Sequence, residues 1–93
     1  MTTVSDITVK GRVQGVGYRF FVEGTARRMG IAGWVRNEPN GDVRVMARLP
    51  PRLMEAFLAA LREGPPASHV RDVRVRTMPD DGSVPAGAFE IRH

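Results

Sequence analysis

Apolar and polar residues alternate along residues 6–13, and this period of two predicts a half-buried strand. The glycine-rich segment 14–17 interrupts the alternation. From Tyr18 the apolar residues recur at helical spacing as far as Met29, and Gly30 is a typical residue for the end of a helix. Gly24 weakens this predicted helix by up to about 1 kcal/mol. We therefore expect packing to compensate at Gly24, or a neighbouring element to approach it closely.

The rest of the chain continues to change between strand and helix periodicity. In chain order it predicts a strand over 33–37, a tight turn at 38–41, a strand over 42–49, a helix that Pro50 and Pro51 open and Gly64 ends, a strand over 70–78, a loop over 79–87 and a short strand at Phe89 and Ile91. This order predicts an α+β fold, a ferredoxin-like βαββαβ sandwich with two helices on one face of an antiparallel sheet. We expect a single domain over residues 1–93. Since this architecture hosts many functions, it does not identify one.

The two faces of the predicted sheet differ in character. In the fourth strand, Val73, Val75 and Thr77 are expected to be buried under the helices. Trp34 is expected to belong to the core rather than to a binding platform. The opposite face is predicted to be exposed and basic, with the residues Arg44, Met46, Arg48, Arg74, Arg76 and Met78.

Composition and charge narrow the classes of protein. The 93 residues are 42% hydrophobic and carry a formal charge of +4, which favours anionic partners. The chain has no cysteine, so a disulfide framework, a thiol nucleophile and a cysteine zinc site are excluded. His69 and His93 are too far apart to suggest a metal cluster. No apolar run approaches the ~20 residues that span a bilayer, and residues 1–6 lack a signal-peptide pattern. A cytoplasmic protein is expected.

The segment Gly11–Arg19 has features of a binding site for an anion. It joins a strand to the start of a helix, where backbone N–H groups have no partner within the helix. Residues 13–19 contain no Ser, Thr, Asp or Asn that would cap those groups. An anion is therefore a candidate ligand, because Gly15 and Gly17 let it approach the backbone and Arg19 adds a planar fork of donors.

Plainer interpretations stay open at this point. A turn with two glycines often joins a strand to a helix, and water also caps helices. The segment lacks the third glycine of the dinucleotide fingerprint, and no Gly-x-x-x-x-Gly-Lys-Ser/Thr run occurs. Asn37, at the end of the second strand, either forms the turn or holds a water molecule by its amide, which does not repel a phosphate as a carboxylate would.

Taken together, these residues resemble the acylphosphatase family. The similarity rests on Gly11–Arg19, Ala26–Gly30, Gly33–Asn37, the hairpin Asn40-Gly41 and the pair Phe89 and Ile91. It implies the βαββαβ fold predicted above and the hydrolysis of acyl phosphates to a carboxylate and inorganic phosphate, without metal or cofactor. The segment 78–88 is poorly constrained by the resemblance.

The resemblance also implies roles for particular residues. The backbone N–H groups of the phosphate-binding loop would hold the phosphoryl group, and the loop consists of Gly15, Val16, Gly17, Tyr18 and Arg19. The Arg19 side chain would bind the same oxygens, and Asn37 would position the attacking water. The chain departs from the family pattern at Gly24 and at Leu49-Pro50-Pro51, and neither departure touches the expected site.

Two other functions remain as alternatives. A binding module on the same fold could contact nucleic acid through Arg44, Arg48, Arg74 and Arg76. Sheets that read nucleic acid present aromatic residues for base stacking, however, and the predicted exposed face has none. An accessory or regulatory domain is the second alternative, which a chain occupied by one domain disfavours. Small size and few exposed aromatic residues favour a monomer. We also expect no nucleic-acid partner and no membrane partner.

Overall fold

The computed structural model describes residues 3–93. Met1 and Thr2, the first residues of the segment without a signal-peptide pattern, lie outside the described part. The elements are β1 (Thr3–Arg12), α1 (Tyr18–Met29), β2 (Ala32–Asn37), β3 (Val43–Arg48), α2 (Pro51–Glu63), β4 (His69–Pro79) and β5 (Phe89–Arg92). The predicted element order is confirmed, and the two helices end directly before Gly30 and Gly64, as predicted. Gly30 takes the left-handed conformation and donates its N–H to the carbonyls that close α1.

The sheet has five strands in the order β4-β1-β3-β2-β5. The strands β1 to β4 pair antiparallel, as predicted, and in the register Ile7 lies opposite Val45 and Val75. The short strand β5 pairs parallel to β2, which makes the whole sheet mixed. The chain reverses direction between β4 and β5, and because β2 already runs opposite to β4, β5 runs parallel to β2.

The main core lies between the two helices and one face of the sheet. Val9, Val35 and Val45 come from the strands and are fully buried, as are Val22 of α1 and Phe57 of α2. The prediction of two helices on one face of the sheet is thereby confirmed. Neither helix in residues 3–93 is long and apolar enough to cross a membrane.

The opposite face of the sheet corrects one expectation. Met46 is only 9% exposed, because it packs with Val4, Trp34 and Val84 in a second apolar cluster. Val84 belongs to the segment 80–88, which crosses this face on its way to β5. The expectation that Met46 faces solvent is therefore wrong, whereas Trp34 is a core residue as predicted.

Two of the arginines on this face are also held rather than free in solvent. Arg44 donates two hydrogen bonds to the buried carboxylate of Asp6, at 3.0 and 2.8 Å. These hydrogen bonds lower the pKa of Asp6 below its ordinary value. Arg48 pairs with Asp80 and donates to the carbonyl oxygen of Val84, so it fastens the segment 80–88 to the sheet.

The burial predicted for β4 is partly wrong. Val73 is half-buried against the core, but Val75 is 38% exposed and Thr77 is exposed. The alternation placed these residues on the helix side correctly, since Val75 lies opposite the buried Ile7. Because β4 is an edge strand, the helices leave its second half uncovered.

Gly24 has no packing reason to be glycine. A Cβ atom there would meet only the flexible end of Arg28, at 3.4 Å, and the backbone conformation suits any residue. The expected close packing is therefore absent at this position. We predict that Gly24→Ala raises the free energy of unfolding by about 1 kcal/mol, since alanine is the better helix former. For a domain of this size, the thermal midpoint should rise by roughly 4–8 °C.

Gly33→Ala is the control for that measurement. Gly33 has φ +150°, and a Cβ there would collide with the backbone of Met46 on the neighbouring strand. This variant should lower the midpoint. A Gly24→Ala protein that melts no higher than the wild type would contradict the prediction.

Candidate functional site

The loop between β1 and α1 owes its shape to two glycines. Gly15 and Gly17 have φ values of 73° and 77°, in the left-handed region that other residues rarely adopt. Gly17 is the residue before the helix, and no side chain there forms a capping hydrogen bond. The N-terminal end of α1, with its partial positive charge, is thus left for a ligand to cap.

A pocket of about 140 Å³ lies at this end of the helix. It is lined by Val13, Gly15, Gly17, Tyr18, Arg19, Phe20 and Asn37. The loop and the first turn of α1 form one part of it, and Asn37 joins them from the end of β2. The two motifs that the sequence singled out, 18 residues apart at Arg19 and Asn37, therefore share one space.

The amide oxygen of Asn37 is buried and has no hydrogen-bond partner within residues 3–93. A buried acceptor without a partner costs about 1–3 kcal/mol. No hydrogen bond from the turn at residues 38–42 reaches this oxygen. Asn37 lines the pocket, so a water molecule admitted to this oxygen would supply the donor that it lacks.

Arg19 is oriented by the C-terminal end of β5. Its Nη1 donates to the carbonyl oxygen of Arg92 at 3.0 Å and lies 3.1 Å from Nδ1 of His93. These contacts leave the remaining guanidinium donors for an anion in the pocket. Sequence analysis missed these contacts because they join residues more than 70 positions apart, and no local sequence pattern predicts them.

The loop residues Tyr18 and Val16 contribute differently from Arg19. The Tyr18 ring is buried in the core, and its hydroxyl donates to the carbonyl oxygen of Leu61 at 2.7 Å. Burial raises the pKa of this hydroxyl above its ordinary value. Val16 packs against the same core and does not line the pocket. These two side chains anchor the loop to the core, and of the five predicted loop residues Val16 is the one that the structure leaves out of the pocket lining.

Gln14 fixes the loop relative to the β2–β3 hairpin, which sequence analysis also missed. Its Nε2 donates to the carbonyl oxygens of Glu38 at 2.8 Å and Asp42 at 2.9 Å. Glu38 follows Asn37 directly, so Gln14 sets the distance between the two sides of the pocket. Lys10 adds an ion pair to Asp42 at 2.8 Å, and its hydrogen bond lowers the pKa of that carboxyl.

Comparison with known proteins identifies the family to which this fold and site belong. The family model Acylphosphatase matches residues 5–91. The chain is 44% identical to the acylphosphatase of Nocardioides sp. over 82 residues, which is 88% of this chain and 83% of the relative. It is 46% identical to the acylphosphatase of Salinibacter ruber over 82 residues, 88% of this chain and 81% of the relative.

A solved structure agrees with the sequence comparisons. The crystal structure of acylphosphatase from Bacillus subtilis superposes with a TM-score of 0.89 at 35% identity, covering 98% of this chain and 99% of that one. The resemblance on Gly11–Arg19 and Gly33–Asn37 therefore extends over nearly the whole fold. The chain belongs to the acylphosphatase family and is an acylphosphatase hydrolase.

Proposed function

We propose that the pocket at the start of α1 hydrolyses acyl phosphates to a carboxylate and inorganic phosphate. One observation carries this proposal. A single small pocket joins an uncapped helix N-terminus, the Arg19 guanidinium and a buried, unpartnered amide oxygen on Asn37. The first two suit an anion, and the third suits a water molecule beside it.

The phosphoryl group is bound by backbone and side chain together. Its oxygens accept hydrogen bonds from the N–H groups of residues 15–19, where the helix dipole favours negative charge. Arg19 contributes a charged fork that matches two phosphoryl oxygens. Because these donors are fixed before the substrate arrives, they stabilise charge in the transition state without reorganising.

The attacking water is positioned by Asn37. Its amide oxygen accepts a hydrogen bond from the water and holds it beside the phosphorus. Phosphoryl transfer requires an in-line nucleophile and charge stabilisation, with little covalent participation by the protein. Placing the water is therefore a direct contribution to the rate.

The leaving group needs no general acid. The water oxygen forms a bond to phosphorus while the bond between phosphorus and the acyl oxygen breaks, and the carboxylate departs with the electron pair. The conjugate acid of that carboxylate has a pKa of about 4, so it leaves as an anion. A phosphoryl oxygen of the substrate takes the proton of the water, since the side chains lining the pocket include no suitable base.

The proposal also covers domain organisation, oligomeric state, location and partners. We propose one acylphosphatase domain over residues 1–93, a monomer in the cytoplasm, acting without metal or cofactor and without nucleic acid as a partner.

Two observations on the face of the sheet opposite the helices disfavour the binding of nucleic acid. Arg44 and Arg48 are paired with carboxylates, and the Trp34 ring is 6% exposed, with the Arg36 guanidinium 4.9 Å from its centre. That ring is not available to stack on bases.

The experiment is the hydrolysis of benzoyl phosphate by the purified protein, with and without a chelator. We expect release of inorganic phosphate at the same rate in both conditions, and competitive inhibition by added phosphate. A protein that shows no turnover but shifts RNA or DNA at physiological salt would contradict the proposal. Activity that disappears with the chelator would contradict the metal-free mechanism.

A further inference from the structure

Phe20 is exposed in an unusual place for an aromatic ring. Two large apolar side chains in residues 3–93 are exposed, Phe20 at 74% and Val75 at 38%. Phe20 follows Arg19 in the first turn of α1 and lines the same pocket. A single exposed apolar residue is ordinary on a protein surface, so the position beside the phosphate site is the observation that matters.

The neighbouring aromatic residues do not account for the exposure of Phe20. Tyr18 is buried and Phe21 packs against the core, with their ring centres 6.1 Å apart. Helical geometry turns the chain by about 100° per residue, so Phe20 points away from that core. The fold would accept a polar residue at this position, because no packing depends on the ring.

Gly24 leaves the flank of Phe20 uncovered. It lies one helical turn later, and a side chain there would lean back over the turn that contains Phe20. Only the end of Arg28 would touch a Cβ at this position. With no side chain at Gly24, nothing at that position covers the Phe20 ring, which is 74% exposed.

The size of the pocket leaves the acyl group outside it. At about 140 Å³ it is well below the roughly 300–1,000 Å³ of sites that enclose whole drug-sized ligands. Once the phosphoryl group and the attacking water occupy this space, the acyl group must lie at the mouth. Among the lining residues, Phe20 is the apolar side chain exposed there, since Val13 and Tyr18 are buried.

We propose that Phe20 binds the acyl group and makes the enzyme selective for acyl phosphates with an apolar, ring-sized acyl group. The inference rests on the proposed function of the same pocket. An aromatic acyl group would stack on or pack against the ring, whereas an acetyl group offers almost no surface to it.

The test compares benzoyl phosphate with acetyl phosphate. The kcat/KM ratio of the two substrates should fall about 2- to 12-fold in Phe20→Ala, the fold-change that corresponds to the energy of an aromatic pair. Phe20→Leu should retain part of the ratio, and Phe20→Tyr should keep it. Inhibition by inorganic phosphate, which has no acyl group, is measured on the same variants to separate an effect on the acyl group from one on the loop.

Val75→Ala is the matched control, because it removes the other exposed large apolar side chain on the distant strand β4. It should leave the ratio unchanged. An unchanged ratio in an active Phe20→Ala protein would overturn the inference alone, as would an equal loss on both substrates with weaker inhibition by phosphate. A wild type inactive on both substrates would overturn the proposed function, and this inference with it.

Discussion

Arg19→Ala should lower kcat/KM for acyl phosphates by about 10³-fold or more, the scale of losing an arginine that stabilises a transferring phosphoryl group. The variant also loses the hydrogen bond from Nη1 to the Arg92 carbonyl oxygen, so the end of β5 becomes less well fixed. That loss should lower the free energy of unfolding by at most about 1.5–3 kcal/mol, the range for a hydrogen bond to a charged group. Unfolding should therefore remain cooperative while turnover and phosphate inhibition are both lost.

Arg19→Lys separates charge from geometry in the same assay. Lysine restores a positive charge but not the planar fork, so activity should recover only in part. Arg74→Ala is the control, because Arg74 is an exposed arginine on β4 that pairs with Asp72, away from the pocket. It should keep wild-type activity. Full activity in Arg19→Ala, measured on benzoyl phosphate, would show that the phosphoryl group is bound elsewhere.

The parts of the molecule that the sequence predicted are those governed by local rules. The end of α1 at Gly30 follows from a left-handed residue that closes a helix. The strands β2 to β4 begin and end within one residue of the predicted bounds, whereas β1 begins at Thr3, three residues before the predicted alternation. The loop at Gly15 and Gly17 was predictable because both glycines are needed for positive φ. Asn37 was predictable as a candidate from its place at the end of a strand, although its unpartnered oxygen was not.

The parts that were missed depend on contacts between distant segments. The segment 80–88 has no periodicity, so the sequence did not predict that Val84 packs against Met46. The same holds for Arg19 and Arg92, and for the two bonds from Gln14 to the hairpin. Such contacts join residues that are far apart in the sequence, and the residue types alone permit many other pairings.

These long-range contacts connect the wall of the pocket to three other elements of the fold. Gln14 ties the loop to the hairpin, the Tyr18 hydroxyl ties it to α2, and the C-terminal end of β5 holds Arg19. Each contact uses a different element of the fold. In the proposed mechanism, these contacts would hold the donors in place before the substrate binds, as electrostatic stabilisation of a transition state requires.

Asn37→Ala should lower kcat by about 10²- to 10³-fold, similar to removing one positioned hydrogen-bonding group from an active site. Phosphate inhibition should change little, because Arg19 and the loop N–H groups remain. The stability of the variant should not fall, since the substitution removes a buried oxygen that has no partner in residues 3–93. Activity is followed by phosphate release and stability by thermal unfolding.

Asn40→Ala should behave in the opposite way and provides the matched control. Asn40 lies in the exposed turn after β2, where its side-chain oxygen accepts a hydrogen bond from the Asp42 N–H at 3.0 Å. Its loss should lower the unfolding midpoint and leave kcat near the wild-type value. Asn37→Asp adds a further comparison, because a carboxylate in the pocket would repel the phosphoryl group and weaken phosphate inhibition. If Asn37→Ala instead destabilised the protein and kept its kcat, Asn37 would be a turn residue and another group would have to position the water.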